Sequence, residues 1–256
     1  MEPSWVTAFV DLPADEHERG LAFWRSVTGC SVSPPRGEHG EFVTLLPPAG
    51  DAYLKVQRID GPARIHLDLH VPDVPAMTRH AVDLGATLEP ETGVSDDGYA
   101  VLVSPAGLVL CLVTEEAGAA PAPVTWPDGH TSRVDQVCLD VPPGDFDREV
   151  DFWSALTGWP PRRSSTDSEY VRLAVPTRQP LRLLLQRLAK PSDQVGAHLD
   201  VAASDPPAEV DRILDLGAER GHRGSVWTAL EPPVGPALCV VERDPVTGGR
   251  PQAQPA

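Results

Sequence analysis

Phe23-Trp24-Arg25-Ser26-Val27-Thr28-Gly29 returns 129 residues later as Phe152-Trp153-Ser154-Ala155-Leu156-Thr157-Gly158. Working outward, Gln57-Arg58 returns as Gln186-Arg187, His66-Leu67-Asp68 as His198-Leu199-Asp200, and Leu84-Gly85-Ala86 as Leu216-Gly217-Ala218. Pro105-x-Gly107-x-x-Leu110-Cys111 returns as Pro233-x-Gly235-x-x-Leu238-Cys239. The blocks keep their order, with offsets drifting only between 128 and 132, which is the mark of a tandem duplication. We expect one domain over 1–113, a Gly- and Pro-rich linker over 114–131, a second domain over 132–243 and a flexible tail over 244–256.

Each half reads strand, helix, strands, and then the same again. Trp5 to Asp11 reads as a strand, and the helix after it opens at Asp15 or Glu16, turns Leu21, Trp24 and Val27 inward and stops at Gly29. Glu41 to Leu46 and Tyr53 to Arg58 follow as strands. Arg64 to Val71 begins the second round. Val74, Met77, Ala81 and Leu84 mark a helical face that Gly85 ends, and Tyr99 to Val103 with Leu108 to Val113 close the half as a hairpin. The second half repeats this plan from Arg133 to Val241.

Net charge is −16, so a nucleic-acid backbone or an anionic membrane face is an unsuitable partner. Met1-Glu2-Pro3-Ser4-Trp5 carries no basic leader, and no apolar run approaches the roughly 20 residues of a membrane span. A cytoplasmic protein is expected, with Cys30, Cys111, Cys138 and Cys239 as reduced thiols.

Strand alternation separates what packs from what meets a ligand. Ile65, Leu67 and Leu69 share one face, which leaves His66, Asp68 and His70 on the other; the copy places His198 and Asp200 likewise. Thr7 and Phe9 share a face, matched by Gln136 and Cys138, and so do Tyr53, Lys55 and Gln57, with Gln186 the copy of Gln57. Cys111 and Cys239 lie away from their aliphatic neighbours; a small buried hydrophobe is the simplest role for each. Phe23, Trp24, Phe152 and Trp153 are assigned to the core. His17, His39, His80, His130 and His222 read as surface residues.

The Phe-Trp-x-x-x-Thr-Gly helix end, the Leu-x-x-Gln-Arg strand, the His-Leu-Asp strand before a helix ending Leu-Gly-Ala, and the closing Pro-x-Gly-x-x-Leu-Cys resemble the glyoxalase-like branch of the vicinal oxygen chelate superfamily. The resemblance implies an α+β fold of tandem glyoxalase-like domains, each built from two βαβββ units that form an open, barrel-like cleft. It also implies a small-molecule ligand and either a monomer or a homodimer. Metal-using members place ligands at four positions per half. Carried onto this chain these hold Thr7, Lys55, His66 and Cys111, then Gln136, Leu184, His198 and Cys239. None is a carboxylate, so no metal and no cofactor is expected.

The resulting expectation is metal-independent binding of an apolar or aromatic small molecule, with antibiotic sequestration as a cellular role. Phe9, Tyr53, Tyr99 and Trp227 would supply stacking surface. Gln57, Gln186, His66, His198, Asp68 and Asp200 would fix orientation, with Thr7, Cys111, Gln136 and Cys239 completing the lining. The rival is an enzyme of the same fold. It would be either a metal-free isomerase or cyclase with His66 or His198 as general base, or a zinc-dependent lyase at Gln136, His198 and Cys239.

Overall fold

The computed structural model describes residues 2–90, 98–114, 118–163, 168–190 and 195–249. Four βαβββ modules follow one another. The first is β1 (Trp5–Pro13), α1 (His17–Thr28), β2 (Ser31–Val32), β3 (Phe42–Leu46) and β4 (Leu54–Ile59). The second is β5 (Arg64–Val71), α2 (Val74–Asp83), β6 (Thr87–Leu88), β7 (Tyr99–Val103) and β8 (Val109–Thr114). A short β9 (Val124–Thr125) lies in the expected linker and pairs with β10 (Thr131–Val141). The third module continues with α3 (Phe146–Thr157), β11 (Pro161–Arg163), β12 (Tyr170–Leu173) and β13 (Arg182–Arg187). The last is β14 (Gly196–Ala203), α4 (Pro206–Asp215), β15 (Glu219–Arg223), β16 (Trp227–Glu231) and β17 (Leu238–Glu242). One sheet runs β2-β3-β4-β1-β5-β8-β7-β6 and the other β11-β12-β13-β10-β14-β17-β16-β15, which makes this an α+β fold of two equivalent sheets.

The helices end as their sequences dictate. Gly29 and Gly158 stop α1 and α3 at φ of 65° and 73°, a left-handed conformation that glycine adopts without steric cost. Asp73 and Asp205 cap α2 and α4, each carboxylate accepting the N–H three residues on, from Ala76 and Ala208. Phe23 and Trp24 are buried edge to face, as are Phe152 and Trp153, in agreement with their assignment to the core.

The compact units do not follow the two halves of the sequence. Unit 1 gathers Met1–Phe9, Arg64–Ala120 and Val137–Ala197; unit 2 gathers Val10–Ala63, Pro121–Gln136 and His198–Ala256. Equivalent contacts build each. In unit 1 Arg148 on α3 donates to the Pro105 carbonyl at 2.9 Å, and in unit 2 Arg19 on α1 donates to that of Pro233 at 2.6 Å. Each contact ties a helix of one half to the Pro-x-Gly turn of the other.

His17 is a correction to the surface assignment: it is buried, and burial pushes its imidazole pKa down. Its position explains this, since His17, Gly20, Trp24 and Val27 form the inward stripe of α1. Part of the expected tail is ordered: Asp244 Oδ1 accepts the N–H groups of Val246 and Thr247, while 250–256 lie outside the described residues. Among the described residues no helix is long and apolar enough to cross a membrane.

Candidate functional site

Parallel pairing creates the same side-chain cluster in each unit. On β5 and β8 Asp68 stands opposite Cys111, and on β14 and β17 Asp200 stands opposite Cys239. The histidine two residues before each aspartate lies on the same strand face. In unit 1 the ligating atoms of His66, Asp68 and Cys111 all fall within 4.8 Å of one another, and in unit 2 those of His198, Asp200 and Cys239 do the same. All four cysteines are free thiols.

The surroundings of the two clusters differ. In unit 1 Phe9 stacks on the His66 ring at 4.4 Å, and the Thr7 hydroxyl is engaged with His70 Nε2 at 3.0 Å. Thr7 therefore serves His70. In unit 2 the Gln136 amide donates to Asp200 Oδ2 at 2.5 Å, and the Arg243 guanidinium lies 3.6 Å from the same oxygen. Arg243 also grips Asp135 through Nε at 3.1 Å and Nη2 at 2.5 Å. Burial lowers the affinity of Arg243 for its proton, but the charges of Asp135 and Asp200 outweigh this and leave its pKa raised. Asp200 is thus fixed from behind and presents Oδ1 to His198 Nε2 at 3.4 Å. The His198 side chain is 14% exposed against 5% for Asp200, so the imidazole is the part of this pair that solvent reaches.

The remaining expected contacts are divided between the units. Tyr53 belongs to unit 2, where it is buried and its hydroxyl donates to the Val134 carbonyl at 2.7 Å; burial drives its phenol pKa upward. Gln57, also in unit 2, is half-buried opposite Phe42. Trp227 lies 5.4 Å from the His222 ring. In unit 1 Tyr99 is exposed opposite Val113, and Gln186 accepts from the Cys138 thiol at 3.8 Å. Sequence reasoning placed Asp68 and Asp200 beside their histidines as ligand contacts but did not count them as metal donors, and it missed Arg243 and Asp135. The His-Leu-Asp spacing already put each carboxylate beside its histidine, whereas Arg243 lies beyond the repeated blocks.

Metal ligation depends on the spacing of these atoms. His66 to Asp68 at 3.7 Å and His198 to Asp200 at 3.4 Å are longer than ordinary hydrogen bonds. They approach the edge of a zinc tetrahedron, about 3.4 Å for legs of about 2.1 Å. A nitrogen, a carboxylate and a thiolate form a donor set that suits zinc better than manganese. The histidine–carboxylate spacing of both clusters suits zinc, while in unit 2 the Arg243 charge beside Asp200 opposes a second cation.

The repeated βαβββ modules and their two equivalent sheets define a tandem vicinal oxygen chelate architecture. The chain belongs to the glyoxalase-like domain family, whose model matches residues 7–113 and 136–241. No curated protein matches it by sequence. Among solved structures it is similar to a Mn(II)-bound glyoxalase from Novosphingobium aromaticivorans, with 16% identity, TM-score 0.62, and coverage of 93% of this chain and 81% of that one. It is also similar to a variant of 4-hydroxymandelate synthase from Streptomyces coelicolor, with 14% identity, TM-score 0.62, and 98% and 95% coverage. A 2,3-dioxygenase from a Pseudomonas species is 16% identical, with TM-score 0.60 and 94% and 91% coverage. At such identities the likeness carries the fold and no residue role.

Proposed function

We propose that this protein binds an apolar or aromatic small molecule carrying one polar group, and that the His198–Asp200 pair of unit 2 recognises that group without a metal. The observation that carries this reading is the anchoring of Asp200 by Gln136 and Arg243. A carboxylate held on its outer oxygen and partly balanced by a guanidinium is suited to orienting an imidazole. An oriented, partly exposed imidazole in a buried surround is a strong contact for a hydroxyl, carbonyl or carboxylate on the ligand. Capture of an antibiotic is a cellular role such binding would serve. Screening aromatic fragments by ligand-observed NMR tests the reading. His198→Ala is expected to weaken the hits at least about tenfold, because a buried polar partner is lost. His80→Ala, on α2 of unit 1 where the ring faces the Ala155 carbonyl at 3.4 Å, is expected to leave them unchanged. Equal losses in both variants at matched stability would remove His198 from the site.

The histidine–carboxylate spacing favours a second reading, in which His66, Asp68 and Cys111, or His198, Asp200 and Cys239, hold zinc. Zinc there would act as a Lewis acid on a bound oxygen. The side chains that orient each cluster, Phe9 on one side and Gln136 on the other, keep their roles in either case.

A further inference from the structure

The stretch between the two family-matched regions carries its own chemistry in unit 2. β9 and β10 form a hairpin, with Thr125 opposite Thr131 and Val124 opposite Ser132. At its turn His130 is buried, a correction to its assignment as a surface residue. Its Nδ1 lies 2.6 Å from Asp128 Oδ1 and its Nε2 2.8 Å from Glu209 Oε2. Ionised carboxylates only accept, so both ring nitrogens carry a proton in this arrangement, and the ring is an imidazolium. The Glu209 side chain is fully buried on α4 and also accepts the Ser132 hydroxyl at 2.8 Å and two Arg212 N–H groups at 2.7 and 2.8 Å. Arg212 lies over the Trp126 ring at 3.5 Å and donates to the Ser26 and Val27 carbonyls at the end of α1.

The geometry points to a protonation-gated latch: the His130 imidazolium, clamped between Asp128 and Glu209, holds the 124–132 hairpin onto α4, and loss of its proton releases it. The charged groups facing His130 among the described residues are Asp128 on the hairpin and Glu209 on α4, with Arg212 on the far side of Glu209. A neutral ring keeps one N–H, so one of its two nitrogens then faces a carboxylate with a lone pair, and a short attraction becomes a repulsion. Burial alone would lower the proton affinity of His130, but the bonds to Glu209 and Asp128 outweigh it and raise it above the ordinary 6.5. A raised folded value gives stability that is complete below 6.5 and is lost as pH climbs through the folded value. Release has a structural consequence, because Val124 and Ser132 line a small recess together with Cys30 and Tyr53.

The test is NMR of the full chain from about pH 6 to about pH 10, which reads the His130 ring nitrogens and the amide protection of Trp126, Gly129 and Thr131. These amides donate to His130 O, Trp126 O and Ser204 Oγ, so they report the hairpin directly. Expected are an imidazolium at neutral pH and protection that falls at least about tenfold along its deprotonation, while the Leu69 amide stays protected. A neutral ring at pH 7, or protection unchanged through deprotonation, would overturn the latch. His130→Gln is expected to show the lowered protection at every pH. Should that variant not fold, the titration of the wild-type chain decides alone.

Discussion

Asp135→Ala is expected to destabilise the protein by about 3–5 kcal/mol, the range for breaking a buried ion pair from one side. Asp135 is 1% exposed and takes two N–H groups of Arg243, itself 7% exposed. Without Asp135 the carboxylate left beside the guanidinium among the described residues is Asp200, at 3.6 Å. The penalty is that of an ill-matched buried cation rather than the net worth of the pair. For that reason Asp135→Leu combined with Arg243→Met is expected to recover most of the loss. Urea unfolding with an unchanged m-value reads both variants. A single variant within about 1 kcal/mol of wild type would show that Arg243 finds another partner.

Glu149→Ala is the second large effect, with an expected cost of about 2–4 kcal/mol from one buried and one part-buried donor left unmatched. Glu149 is fully buried; Oε1 accepts Trp153 Nε1 at 2.8 Å and Oε2 accepts the Ala106 N–H at 3.0 Å. The repeat supplies a comparison. The equivalent position on α1 is Gly20, and Trp24 Nε1 finds no hydrogen-bond partner among the described residues. Leu12 fills that space instead, since a Cβ on Gly20 would fall 2.6 Å from its Cδ1. Burial foremost raises the Glu149 carboxyl above the ordinary 4.5, with the bonds to Ser104, Trp153 and Ala106 opposing. A carboxyl raised on folding loses stabilising effect as pH rises from 4.5 through its folded value. The gap between wild type and Glu149→Ala is therefore expected to be widest at acid pH and to narrow toward neutrality, as thermal unfolding at several pH values would show. A gap that widens with pH would contradict this account of Glu149.

These two sites show what the sequence could and could not disclose. The alternation of His66-Leu67-Asp68-Leu69 made the shared face of His66 and Asp68 readable, because strand geometry is local, although both faces of β5 are buried. Gly29 and Gly158 were readable as helix ends because only a left-handed residue closes such a helix cheaply. The approach of Cys111 to Asp68 was not readable, because it depends on the parallel register of β5 and β8. Nor was the division into units, which pairs α1 with the Pro233 turn through Arg19 across more than 200 residues of chain. His130 looked like a surface histidine because its partner Glu209 lies 79 residues away. Arg243 follows the last repeated block, so no copy drew attention to it.

The measurement that tests the central claim most directly is calorimetric titration of a fragment hit into protein stripped with a chelator and into the same protein reloaded with one equivalent of zinc. Recognition by the anchored His198–Asp200 pair predicts the same affinity in both, and a loss of binding in His198→Ala with or without zinc. Binding that vanishes on stripping and returns with zinc would contradict it and make the His-Asp-Cys clusters metal centres.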